Sequence, residues 1–103
     1  MAQQGAAVDT TQRDRMLRRY AMDPLKQALA ANDPPMTQVW LRGKLDRHGL
    51  RVSKTQLSNY LNGWKRVPRE FVKLASVIAG ANPSDVYARI AGHETVLFQP
   101  EKE

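Results

Sequence analysis

Signals that begin or end a helix recur along the chain at short intervals, and they restrict the possible folds more than any other feature. An aspartate or asparagine before proline is typical of a helix start, and glycine is typical of a helix stop. The segments between these signals are only a few helical turns long. The sequence therefore predicts an all-α fold, a compact bundle of about five short helices. The signals are Asp23-Pro24, Asp33-Pro34-Pro35, Gly49, Ser53, Asn62-Gly63, Pro68, Gly80, Asn82-Pro83 and Gly92.

Apolar residues recur every three or four positions within these segments, as they do on the buried side of a helix. The clearest apolar stripe runs from Phe71 to Ile78. We expect Trp40 and Trp64 to pack in or against the core rather than to stack on nucleic acid. The predicted helices cover residues 9–21, 24–32, 36–48, 53–62, 68–80 and 83–92.

The two ends of the chain differ from this helical part. Residues 1–8 are small and polar and show no periodicity, so we expect a flexible tail there. Residues 9–92 form the predicted helical domain, and residues 93–103 form a short C-terminal arm or tail. Within that arm, Thr95 to Phe98 is compatible with a short strand or with a segment that packs on a partner.

Positive charge is concentrated in the middle of the chain. The sequence contains 16 Lys and Arg against 10 Asp and Glu, a net charge of +6. Residues 36–73 hold nine basic and two acidic side chains, a net charge of +7, whereas residues 1–35 carry +1 and residues 74–103 carry −2. Such a concentration favours a polyanionic partner, because each Lys or Arg placed on a phosphate releases condensed counterions.

Several functional classes find no support in the sequence. The absence of cysteine excludes disulfides, thiol catalysis and thiolate metal sites. His48 and His93 have no third ligand at metal-binding spacing, so we expect no metal. Without a glycine-rich phosphate loop, a carboxylate cluster or a nucleophile beside a base, we expect neither an enzyme nor a cofactor. Without a membrane-length apolar segment or a signal peptide, we expect a cytoplasmic protein that does not contact a membrane.

The segment Ser53-Lys54-Thr55-Gln56 matches a capping box, in which the first and fourth residues bind each other's backbone at a helix start. Leu57, Tyr60 and Leu61 then form a narrow apolar stripe. The opposite side of this helix is polar, and we expect it to face outward.

The polar residues in and after this helix have the chemistry that reads DNA. Lys54 can donate to guanine, and Gln56 and Asn59 can pair with adenine. Lys65 and Arg66 follow the helix and can bind backbone phosphates. The candidate DNA-binding residues are Ser53, Lys54, Thr55, Gln56, Ser58, Asn59, Asn62, Lys65 and Arg66.

Five short motifs follow one another between residues 52 and 80. They are Val52-Ser53 at a helix start, Leu57-Ser58 in mid-helix, Asn62-Gly63 at the exit, Lys65-Arg66-Val67-Pro68 in a loop, and Leu74-Ala75 in the next helix. In this order they resemble the Cro and phage-repressor (Xre-type) family of helix-turn-helix regulators. Members of that family have a λ-repressor-like all-α fold and usually bind operator DNA as dimers.

Thr37-Gln38, with Leu41 and Leu45 behind it, looks like the first helix of the family's motif, so the helix-turn-helix spans about residues 36–63. The connection over residues 46–52 is longer than the family's usual turn. Either the first helix gains a turn, or a wing-like connection is inserted.

The resemblance implies a sequence-specific regulator of transcription, a repressor that binds double-stranded DNA as a homodimer at a near-palindromic operator in the nucleoid. An antitoxin-type module is the alternative. In that case the helix-turn-helix regulates its own operon, and the acidic C-terminal part with Val96-Leu97-Phe98 holds a small partner protein.

Overall fold

The computed structural model describes residues 2–100, with side chains from residue 12 onward. Six helices are present in this part of the chain, and no strand longer than an isolated bridge accompanies them, so the predicted all-α fold is confirmed. The sequence predicts a flexible tail over residues 1–8, whereas the backbone of residues 2–8 belongs to the first helix, and the side chains of these residues lie outside the described part. The helices are α1 (Ala2–Ala31), α2 (Gln38–Arg47), α3 (Lys54–Leu61), α4 (Arg69–Ala79), α5 (Pro83–Arg89) and α6 (Glu94–Leu97).

The chain differs from the prediction at Pro24, where one helix of 30 residues replaces the two short helices expected. A proline inside a helix leaves the carbonyl four positions earlier without its usual donor. Here that carbonyl belongs to Tyr20, and Nη1 of Arg89 donates to it at 3.1 Å. Arg89 also pairs with Asp23 at 3.6 Å. The arginine of α5 therefore compensates the break, and the helix continues through the proline.

The predicted capping interactions are present at the shorter helices. Ser53 and Gln56 make both bonds of the capping box at the start of α3. The side chain of Asn82 accepts a hydrogen bond from the backbone of Ser84 at the start of α5. Gly80 ends α4 in the left-handed conformation, with φ of 81°. These local signals place the ends of α3, α4 and α5 close to where the sequence predicts them.

The long helix α1 is the centre of the packing, with contacts to α3, α4, α5 and α6. Its inward side is formed by Ala21, Met22, Leu25 and Leu29. The apolar positions predicted for the other helices are buried against it or against one another. These include Leu41, Leu45, Leu57, Leu61, Phe71, Ala75, Val86 and Ile90, whereas Leu74 and Ile78 of the predicted stripe in α4 are half-buried.

The connection between α2 and α3 is a compact turn. The backbone N–H of Leu50 donates to the carbonyl of Leu45 at 2.9 Å, and Gly49 has φ of 88°. Leu50 and Val52 are buried. Leu50 and Val52 therefore anchor this connection in the core, and residues 46–52 form no wing.

The C-terminal segment is a short helix rather than a strand. After α6, Phe98 forms an isolated parallel bridge with Val67. Leu97 and Phe98 are buried in the core of their own chain. Within residues 2–100, no helix combines the length and the apolar character needed to cross a membrane.

Candidate nucleic-acid interface

The first turn of α3 projects polar side chains away from the core. Leu57, Tyr60 and Leu61 point inward and are buried, and because a helix turns by 3.6 residues, the opposite side faces solvent. Lys54 and Thr55 are exposed on that side. Among the described residues, Lys54 forms no ion pair, and its ammonium group is available to a ligand.

The side chain of Gln56 bends back onto the start of α3. Its Oε1 accepts from the backbone N–H of Ser53 at 2.9 Å, and Oγ of Ser53 accepts from the backbone N–H of Gln56 at 3.0 Å. Bidentate pairing with adenine uses both the oxygen and the nitrogen of the amide. Gln56 would have to share its oxygen between the cap and the base, so its first role is structural.

Four of the predicted site residues line one cleft beside α3, with a volume of about 450 Å³. They are Gln56, Asn59, Lys65 and Arg66, joined by two residues that sequence reasoning missed, Tyr60 and Gln99. Amides and two cations provide its polar lining, and no carboxylate of the described chain contributes to it. The cleft therefore suits an anionic ligand that also accepts hydrogen bonds.

Ser58 and Asn62 are bonded to each other at the end of α3, and Asn62 also contacts α1. The Nδ2 group of Asn62 donates to the carbonyl of Ser58 at 2.9 Å. Nζ of Lys26, on α1, donates to Oδ1 of Asn62 at 3.2 Å. Both side chains are half-buried. These two residues, which the sequence predicts to bind DNA, instead stabilise the carboxyl end of α3 and its contact with α1.

The turn after α3 lies directly against α1. A Cβ on Gly63, which has φ of 79°, would stand 2.6 Å from Cγ of Arg19 and 2.8 Å from the carbonyl oxygen of Arg15. Nε of Arg18 donates to the carbonyl of Gly63 at 2.8 Å, and its Nη1 donates to that of Val96 at 3.2 Å. The turn is thus held in place between α1 and α6.

Arg18 adds positive charge near the cleft. Burial lowers the pKa of its guanidinium; Asp14 opposes this shift, and Arg66 adds to it by charge repulsion. An arginine remains charged despite such a shift, because its ordinary pKa is so high. Arg18 and Arg66 together make this side of the molecule electropositive.

Neither tryptophan lies inside the core, and each keeps about half of its side chain exposed. Trp40 is 49% exposed and Trp64 is 56% exposed. The guanidinium of Arg15 lies over the ring of Trp64, 3.5 Å from its centroid, and Nζ of Lys44 lies 4.7 Å from that of Trp40. Each ring supports a cation, and this arrangement keeps the cations near the surface.

The first turn of α2 lies beside the first turn of α3. Gln38, Val39 and Arg42 enclose a small gap of about 30 Å³ together with Lys54 and Leu57. This places Gln38 and Arg42, which the candidate site did not include, next to the exposed end of α3. The charge of Arg51, farther along, is offset by Asp46 at 3.2 Å.

Comparisons with protein-family models, with curated proteins and with solved structures find no match. Within the described part of the chain, no group of three or more His, Asp or Glu side chains could hold a metal ion. The geometry of the surface around α3 is therefore the basis for inferring a function.

Proposed function

We propose that the protein is a sequence-specific regulator that binds double-stranded DNA through α3. One observation carries the proposal: the exposed first turn of α3 continues into a cleft lined by amides, Lys65 and Arg66, without a carboxylate among the described residues. This is the combination that DNA requires, because base edges accept and donate hydrogen bonds while the flanking phosphates are anionic.

In this mechanism α3 enters the major groove, which is wide enough for one helix. Lys54, Thr55 and Asn59 face the base edges. Lys65 and Arg66 bind the phosphates of one strand and fix how the helix lies in the groove. Gln56 holds the first turn of α3 in shape through the capping box.

Repression by a homodimer follows from the family resemblance and the size of the domain. A single α3 reads only a few base pairs, so two copies bound about 34 Å apart on a near-palindromic operator supply the specificity. Such a dimer in the nucleoid blocks polymerase sterically. The mechanism requires no catalysis, metal or cofactor.

The antitoxin alternative receives less support. It depended on Val96-Leu97-Phe98 as a segment available to a partner protein. Leu97 is fully buried and Phe98 is 3% exposed within their own domain. A partner would have to displace them from the core, and such a displacement costs about 2 kcal/mol or more for each large apolar side chain.

Selection from a pool of random double-stranded DNA at two salt concentrations tests the proposal. We expect a motif with two half-sites about 10 base pairs apart. Asn59→Ala should relax the base preference at one position of each half-site, at a cost of about 1–3 kcal/mol. Lys65→Ala should weaken binding to every sequence and reduce the salt dependence.

Lys73→Ala is the matched control, because it removes a cation from the exposed side of α4 that does not line the cleft. We expect a smaller loss of affinity than for Lys65→Ala. Equal losses for Asn59→Ala and Lys65→Ala on selected and random DNA would contradict base reading by α3.

A further inference from the structure

The C-terminal segment places Gln99 at the edge of the cleft and fixes it there. The backbone N–H of Val67 donates to the carbonyl of Leu97 at 2.8 Å, and the backbone N–H of Gln99 donates to the carbonyl of Val67 at 2.9 Å. The side-chain Nε2 of Gln99 donates to the carbonyl of Arg66 at 3.1 Å. Three hydrogen bonds thus tie this segment to the loop that carries the cations.

The amide of Gln99 keeps hydrogen-bonding capacity for a ligand. An amide nitrogen carries two hydrogens, and only one is needed for the carbonyl of Arg66. Because Gln99 lines the cleft together with Asn59, Lys65 and Arg66, its second N–H belongs to a set of donors around one space. Two of these donors are cationic and two are amides.

The composition of the cleft selects the kind of ligand. Donors with two positive charges and no carboxylate bind an oxyanion. The cleft, with a volume of about 450 Å³, is large enough for one phosphodiester group. The cleft borders α3, so a DNA strand beside that helix would bring such a group to it.

We propose that the cleft binds one backbone phosphate of the DNA and that Gln99 donates a hydrogen bond to it together with Lys65 and Arg66. This inference rests on the proposed function and extends the DNA-binding surface to the C-terminal segment. Gln99 also positions the loop through the carbonyl of Arg66. A test must therefore distinguish direct contact of Gln99 with the phosphate from its structural support of the loop.

The test is a scan in which single phosphates of the selected DNA are replaced by uncharged methylphosphonates. Binding of the unmodified protein and of Gln99→Ala is measured on each duplex. On unmodified DNA, we expect Gln99→Ala to bind about ten- to a hundredfold more weakly whatever the base sequence, the value of one hydrogen bond to a charged group. One methylphosphonate per half-site should weaken the unmodified protein but have a smaller effect on the variant.

Gln99→Glu tests the effect of a negative charge in the cleft, because a carboxylate there repels phosphate. We expect it to lose more affinity than Gln99→Ala. Asn82→Asp makes the same change of charge at the other end of α4, about 16 Å away along the helix, and retains a good helix cap. It should bind DNA within twofold of the unmodified protein.

Two results would overturn the inference. If every methylphosphonate weakened Gln99→Ala as much as the unmodified protein, Gln99 would only support the loop. If Asn82→Asp lost as much affinity as Gln99→Glu, the effect would come from net charge. Failure of the proposed function looks different, because the unmodified protein would then select no DNA sequence at all.

Discussion

The two ends of α3 use similar polar residues for opposite purposes. At the amino end, Lys54 and Thr55 are exposed and contact no neighbouring helix through a hydrogen bond within the described chain. At the carboxyl end, Asn62 is bonded to Lys26, and Gly63 lies against the backbone of α1. A polar residue of α3 is therefore either exposed and available to a ligand or engaged in the fold, depending on which element packs beside it.

This difference divides the nine candidate residues into groups. Ser53 and Gln56 cap the start of α3. Ser58 and Asn62 are bonded to each other and stabilise its carboxyl end. The residues left for direct contact with a ligand are those whose side chains make no such bond. These are Lys54, Thr55, Asn59, Lys65 and Arg66.

The largest effect on stability is expected for Gly63→Ala, which disturbs the turn after α3 where it packs against α1. The added methyl group would meet backbone atoms of α1 at 2.8 Å, and φ of 79° is unfavourable for alanine. Backbone atoms cannot move aside as a flexible side chain can. We expect a loss of about 3 kcal/mol in the free energy of unfolding, measured by urea denaturation.

Gly49→Ala provides the matched control for this loss. Gly49 also has a positive φ, of 88°, but a Cβ there would meet nothing within 4 Å. It should cost about 1–2 kcal/mol from backbone strain alone. Equal losses at the two positions would show that the contact between α1 and the turn after α3 is looser than the structure indicates.

A second pair of variants compares the two ends of α3 directly. Asn62→Ala removes the bonds to Ser58 and Lys26 and should lower the free energy of unfolding by about 1 kcal/mol, with little change in DNA affinity. Thr55→Ala should leave stability within about 0.5 kcal/mol and weaken discrimination between DNA sequences. If Asn62→Ala changed DNA affinity and Thr55→Ala changed stability, the roles assigned to the two ends of α3 would be wrong.

The sequence predicted the local part of this architecture well. The capping box at Ser53 and the glycine stop at Gly80 depend on residues within one turn of each other, so their physics can be read from neighbours. The apolar stripe predicted from Phe71 to Ile78 likewise follows from helical periodicity, with Phe71 and Ala75 buried and Leu74 and Ile78 half-buried. These features located the exposed turn of α3 on which the proposed function rests.

Long-range contacts explain what the sequence did not predict. The continuation of α1 through Pro24 depends on Arg89, which is 69 residues away from the carbonyl it satisfies. The place of Gln99 in the cleft depends on its pairing with Val67 and Arg66. No neighbouring residue indicates either contact. Local patterns therefore predict a helix break at Pro24 and place Gln99 in a C-terminal arm or tail.

The smallest effect is expected for a substitution of Glu94, at the start of α6. This helix is bonded through Leu97 to Val67, in the loop that carries Lys65 and Arg66. Hydrogen bonds from the backbone N–H of Glu94 itself and from that of Gly92 lower the pKa of the Glu94 carboxyl, and Arg69 and His93 add to the shift. Because the folded-state pKa is lower than the unfolded one, the carboxylate stabilises the fold above the ordinary pKa of glutamate. This contribution is lost as the pH falls through the folded-state pKa.

Glu94→Gln should therefore unfold at a slightly lower temperature than the unmodified protein at neutral pH. The two melting temperatures should converge in acid, where both side chains are uncharged. Other carboxylates titrate equally in both proteins, so the difference between the two curves isolates Glu94. A difference that stayed constant across the acid range would mean that the side chain of Glu94 acts through its shape rather than its charge.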